Sequence, residues 1–97
     1  MSQEDILKYV KKYYPGHAIM LMTGFEKAFL GITMEGLRLP CAVYDFGKCV
    51  GLLMKDEGMT AQEATDHLND IMDMDIGDYA PHFVRTFSSF FQGFKVN

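Results

Sequence analysis

What this chain lacks narrows its function before any motif is read. No run approaches the roughly 20 apolar residues that a membrane-spanning helix requires. The most apolar early segment, HAIMLM over residues 17–22, is far too short, so no membrane association is expected. The opening MSQED holds no basic region leading into an apolar stretch, so no secretory signal is expected either. Cysteine is scarce. Cys41 and Cys49 are the only two, each in an apolar setting, and are expected to be reduced and buried rather than bridged. The expected compartment is the cytoplasm.

Cations are missing where they would be most useful. From Asp56 to Asp78 there are eight acidic groups and no Lys or Arg, in a chain whose net charge is only −4. A direct nucleic-acid binder would show the reverse pattern, so nucleic-acid binding is not expected.

Catalytic and cofactor signatures are missing too. His17, His67 and His82 do not combine with the two cysteines in any zinc-ligand spacing. Asp73-Met-Asp75-Ile-Gly77-Asp78 superficially resembles a calcium loop. Its Gly is out of order, however, and Val84 stands where the closing Glu is required. A phosphate loop needs a glycine-rich turn between strand and helix; YDFGK has a single Gly, and Asp45 would repel the anion. A Cys49–His67 pair is conceivable in space, yet a thiol on an apolar helical stripe is inert. The chain therefore reads as a non-enzyme with no cofactor and no metal.

What is present specifies an architecture. Ninety-seven residues, 48% of them hydrophobic, suffice for one domain with its own core. Ser2 and Asp5 form a capping box ahead of a helical stripe of Ile6, Val10, Tyr13 and Tyr14, which Pro15-Gly16 ends. Three short apolar runs follow, over residues 18–23, 28–33 and 39–44, separated by Gly-containing turns at 24–27 and 34–36. Such punctuation predicts strands of an antiparallel meander. In the third run Leu39, Cys41 and Val43 share a face, and Pro40 belongs at its start or on an edge.

Asp45 then predicts the N-cap of a second helix with a Phe46, Cys49, Val50 and Leu53 stripe and a Gly58 stop. Gly47 and Gly51 inside it are expected to allow close packing on the sheet. Thr60 and Glu63 form the capping box of a third helix, with Ala61, Ala64, Leu68, Ile71 and Met72 as its stripe. Residues 82–87 alternate as a final strand would, although Phe83, Phe87, Phe90, Phe91 and Phe94 also follow helical spacing. The predicted fold class is α+β. An N-terminal helix precedes a small antiparallel sheet of three to four strands; two consecutive helices pack on it, and a C-terminal strand or aromatic helix closes the chain.

The segment from residue 43 to 83 resembles a family of small, functionally uncharacterised proteins of tailed bacteriophages and prophages. The shared pattern is a strand ending in Tyr44-Asp45, a helix carrying Lys48-Cys49, the turn Gly58-Met59, and a helix opening Thr60-x-x-Glu63-Ala64. A Gly77 loop then ends in Pro81-x-Phe83. The preceding AFLGI fits the family's middle strand. This resemblance implies fold and phage origin and is silent on activity. The chain departs from the pattern at Ala80, where the family has Thr, and at Asp70, Asp73 and Asp75, where it has amide, small and aromatic residues.

Two surfaces stand out as candidate sites. Asp66, Asp70, Asp73, Asp75 and Asp78 cluster toward the C-terminal end of the third helix and beyond it, where the helix dipole is itself negative. They form a tolerated solvated face, a surface for a basic protein partner or a weak, adventitious cation site. His67, between Glu63 and Asp70 at helical spacing, is expected to form a surface ion pair. The second surface is the aromatic C-terminus, where Phe87, Phe90, Phe91 and Phe94 complete the core, seam a dimer or dock a partner. The first expectation is thus a phage accessory protein that binds a host or viral protein. The alternative is an oligomeric small-molecule-binding or sequestering protein with a pocket near Tyr44, Cys49 and His67.

Overall fold

A computed structural model describes residues 2–33 and 38–87. The turn expected over residues 34–36 and the aromatic positions Phe90, Phe91 and Phe94 lie outside the described residues. The elements run α1 (Gln3–Tyr13), a single 3₁₀ turn (Glu26–Ala28), β1 (Phe29–Ile32), β2 (Ala42–Asp45), α2 (Phe46–Glu57), α3 (Ala61–Asp73) and β3 (His82–Val84). This is an α+β fold.

Local chemistry explains the helices. In α1 the Asp5 N–H donates to Ser2 Oγ at 3.2 Å and the Ser2 N–H to Asp5 Oδ2 at 3.1 Å, satisfying donors that a bare helix start would leave orphaned. Ile6 and Val10 are its buried residues, and the Tyr9 ring meets Phe29 of β1 edge-on at 6.5 Å. In α2 the Asp45 carboxylate caps the first turn, and Gly58 ends the helix in the left-handed conformation, at φ 66° and ψ 21°. The Met59 N–H then reaches back to the Leu53 carbonyl at 3.4 Å. α2 packs on α3, the 3₁₀ turn and β2.

The sheet is three-stranded and mixed, in the order β1-β2-β3. β1 pairs antiparallel with β2, Phe29 opposite Tyr44 and Gly31 opposite Val43. Leu30 is thereby an extra residue, a bulge allowed by Gly31 at φ +155°. β3 pairs parallel with β2, Tyr44 opposite Phe83, which corrects the all-antiparallel expectation. Two helices and a loop separate the strands, enough chain for the crossover that parallel pairing demands.

Four further expectations are corrected. Residues 18–22 form no regular element and residue 23 begins a turn, so this run joins no strand ladder. The Met20 N–H is taken by the Tyr79 carbonyl at 3.3 Å and the Met22 N–H by the Tyr44 hydroxyl at 2.8 Å, leaving no need for a neighbouring strand. The last strand stops at Val84 rather than running to residue 87, because its partner Asp45 is already the cap of α2 and β2 has nothing further to offer. Gly51 is exposed, and a Cβ built there meets nothing within 4 Å. It does not serve helix-to-sheet packing. Gly47 is likewise exposed, as are Ala61 and Met72 of the expected α3 stripe.

Tyr44 is at the centre of the core, wholly inaccessible, with Ala28, Ala42, Phe46, Cys49, Leu53, Ala64 and Leu68 around it. Its ring meets Phe29 edge-on at 5.7 Å and Phe83 at 6.1 Å. Asp45, next along β2, is the one buried charged residue of the described chain. Its Oδ1 accepts the Lys48 N–H at 3.1 Å and its Oδ2 the Thr86 hydroxyl at 2.8 Å.

Two stability measurements check this description. Gly51→Ala removes a flexible residue from an open helical site and should stabilise the fold by about 1 kcal/mol. Urea denaturation should show the midpoint rising; a fall would mean that the site is packed. Thr86→Val deprives the buried Asp45 carboxylate of a donor and should cost about 1–3 kcal/mol by the same measurement.

Candidate functional site

The inward stripe of α3, Ala64 and Leu68 with Ile71 partly buried, turns Asp66, His67, Asp70 and Asp73 outward. All four are exposed, and so are Asp75 and Asp78 in the loop that follows. The helix start is electrostatically satisfied. Thr60 donates its backbone N–H to Glu63 Oε1 at 2.9 Å, and its Oγ1 accepts the Glu63 N–H at 3.1 Å. Together these bonds hold the Glu63 carboxyl below its ordinary range. The helix end has no such relief, since no basic side chain occupies its last turn.

Asp66 accepts a hydrogen bond from Gln62 Nε2 at 2.9 Å. His67 forms no ion pair with Glu63 or Asp70, contrary to expectation. Among the described residues no cluster of His, Cys, Asp and Glu is arranged to hold a metal ion. Met72 and Met74, 49% and 56% exposed, add apolar surface beside the carboxylates. Of the aromatic C-terminus, Phe83 turns inward against Tyr44, and Phe87 is 76% exposed.

The pocket expected near Tyr44, Cys49 and His67 is not assembled. Tyr44 and Cys49 are fully enclosed in the core, whereas His67 is exposed on the outer side of α3. The stripe that carries Cys49 inward is the reason: a side chain packed at that depth has no opening to share with a surface imidazole. Burial, reinforced by the nearby Asp45 charge, pushes the Cys49 thiol from 9.0 up to about 12. Both cysteines are free and buried, and neither is poised as a nucleophile.

A cleft does exist, at the end of the sheet where β1 finishes and β2 and β3 begin. It encloses about 330 Å³ and is lined by Thr33, Arg38, Leu39, Cys41, Asp78 and His82. Its walls are tied together by short bonds. The Cys41 N–H donates to Thr33 Oγ1 at 2.9 Å, and the Thr33 N–H returns to the Cys41 carbonyl at 2.8 Å. The Cys41 thiol donates to the Asp78 carbonyl at 3.2 Å. The loop bearing Asp78 is pinned from outside by the Tyr79 hydroxyl, 2.9 Å from His17 Nδ1. Burial first, and then the Asp78 carboxylate, raise the Cys41 thiol above its ordinary value, so it presents a neutral S–H to the cleft.

Sequence reasoning missed this cleft because its residues come from three separate segments, none bearing a motif. The one local hint is the pairing of Arg38 with Pro40-Cys41 just before a strand. No helix of the described residues is long and apolar enough to cross a membrane.

The raised thiols imply a defined alkaline response. Below about pH 9 both folded and unfolded chains keep Cys49 protonated. Above it the unfolded chain releases a proton that the core retains, so stability should decline progressively toward the folded value of about 12. Tyr44, likewise raised by burial, adds to the decline above its ordinary 10.0. Urea melts at successive alkaline pH values should show this slope, and Cys49→Ala, less stable at neutral pH, should show a flatter one. An unchanged slope would remove Cys49 as a source.

Comparison with known proteins gives no relative to lean on: no family model, no curated protein and no solved structure matches this chain.

Proposed function

We propose that the protein is a non-enzymatic accessory protein of the phage and prophage kind it resembles, acting in the host cytoplasm. Its role is to bind a host or viral protein whose contact surface is basic. The observation that carries this reading is the outward face of α3. Asp66, Asp70, Asp73, Asp75 and Asp78 are all exposed, with no cation in the last helical turn to neutralise them. A field of one sign at the negative end of a helix costs stability, while it steers and orients a basic partner. The exposed Met72 and Met74 offer adaptable apolar contact beside it. Phe87, 76% exposed, is a further candidate contact; Phe90, Phe91 and Phe94, outside the described residues, are candidate contacts from the sequence alone.

A second reading, an oligomeric small-molecule-binding or sequestering protein, is favoured by the cleft at the sheet end and no longer by Tyr44, Cys49 and His67.

The test is affinity capture from host lysate by the full-length chain, set against a variant with Asp66, Asp70, Asp73 and Asp75 changed to Asn. The native protein should retain a basic partner whose capture weakens as salt rises from about 50 to about 300 mM. The variant should lose that partner while melting at an equal or higher temperature. Capture that survives neutralisation and salt would overturn the acidic-face reading.

A further inference from the structure

We propose that the groove between α1 and β1 binds a small organic cation, an ammonium carried on an aromatic or aliphatic body. The site is separate from the acidic face of α3 and from the cleft at the sheet end. It encloses about 310 Å³ and is lined by Asp5, Ile6, Tyr9, Phe29, Leu30 and Gly31. That volume is at the small end of ligand sites, and the lining has their usual composition, mostly apolar and aromatic with few polar groups.

Local structure opens the groove. Leu30 is the extra residue of the β1 bulge, and a bulge re-aims a side chain that a regular ladder would hold in place. It is 47% exposed. Beside it Gly31 has no side chain, and a Cβ built there would meet nothing within 4 Å. α1 supplies the other wall, where Ile6 is buried and Tyr9 remains 39% exposed. The Tyr9 ring is held among Phe29 at 6.5 Å, Tyr13 at 5.2 Å and Tyr14 at 6.3 Å. Its hydroxyl is bonded to Tyr14, so the ring is what this side chain offers a ligand.

Charge selects the ligand class. Asp5 is the only charged residue among the described residues that line the groove. Its Oδ2 accepts the Ser2 N–H at 3.1 Å, and a carboxylate has further lone pairs to offer. Bonds from the Ser2 backbone and hydroxyl hold the Asp5 carboxyl below its ordinary range, so it is ionised throughout the neutral region. Lys8, one turn along α1, pairs with Glu4 at 3.8 Å.

A carboxylic acid or a phosphate would be repelled by Asp5, and a neutral apolar molecule would leave that charge unanswered. An ammonium meets it. The rings of Tyr9 and Phe29, nearly perpendicular at 74°, attract the same cation through their π-electrons. The ligand's body then covers the apolar surface of Leu30 and takes it out of water.

The experiment is a nuclear magnetic resonance titration of the full-length, isotope-labelled protein with phenethylamine and with hexylamine, each up to about 10 mM. At least one should give saturable shifts at the Tyr9, Leu30 and Gly31 amides. Phenethyl alcohol and hydrocinnamate, similar in size but neutral and anionic, should bind about fivefold more weakly or worse. Methylamine, which has the charge and no body, should also bind more weakly. Asp5→Asn should cost the amine about fivefold or more in affinity, while its amide oxygen still accepts the Ser2 N–H and keeps α1 capped. Leu30→Ala should weaken binding without touching the charge or the cap. Thermal melts check that both variants are folded.

The absence of saturable shifts with either amine would overturn the proposal. So would an alcohol or a carboxylate that binds as well as the amine, or an affinity unchanged in both variants. Shifts at the same amides on concentrating the protein alone would mean that a second copy fills the groove, and would overturn it too. The variant neutralised at Asp66, Asp70, Asp73 and Asp75 should bind the amine as the native protein does, which separates this proposal from the acidic-face reading.

Discussion

The fold depends on one buried carboxylate. Asp45 is 1% exposed, and a charge at that depth is tolerable only when its lone pairs are taken. Its two oxygens divide the work: one accepts the first turn of α2 through the Lys48 N–H, the other the Thr86 hydroxyl beyond β3. The positive end of the α2 dipole favours the same charge. A single side chain thus ends β2, starts α2 and fastens the chain that follows β3. Arg85 adds to the closure by placing its guanidinium 4.3 Å from the centre of the Phe46 ring.

The opposite end of the sheet is organised by different means. There the polar groups belong to the backbone and to small side chains, Thr33 and Cys41, and to the tyrosines that reach the irregular segments. Tyr44 sends its hydroxyl out of the core to Met22, and Tyr79 offers its carbonyl to Met20 and its hydroxyl to His17. Residues 18–23 are therefore stitched to the core and to the Gly77–Pro81 loop without joining the sheet. One consequence is a cleft lined by polar and charged side chains, mounted on strand ends. The other is that the charged face of α3 remains clear of the sheet and free to meet solvent.

These two surfaces divide the functional readings. The face of α3 is a feature of charge density along one helix, and a macromolecular partner is what such a field addresses. The cleft is a feature of convergence, in which polar side chains from distant segments line one space of about 330 Å³. Neither involves an activated nucleophile. Burial keeps both thiols protonated, which is the behaviour of cysteine used as a small core residue.

Features settled within a turn or two of chain could be read from residue order. The capping boxes at Ser2 and Thr60, the Asp45 cap, the Gly58 stop and the inward stripes of Ile6–Val10 and Ala64–Leu68 were legible because each is a bond or a face between near neighbours. So was the acidity of α3. Tertiary structure decided the rest.

Whether residues 18–23 paired as a strand depended on what else could satisfy their N–H groups, and the answers, Tyr44 and Tyr79, lie far along the chain. The parallel alignment of β3 depended on where a two-helix crossover returned it. The openness around Gly51 depended on what failed to pack there. The cleft depended on the strand topology, since Thr33, Cys41 and His82 share one space only because three strand ends meet at one edge.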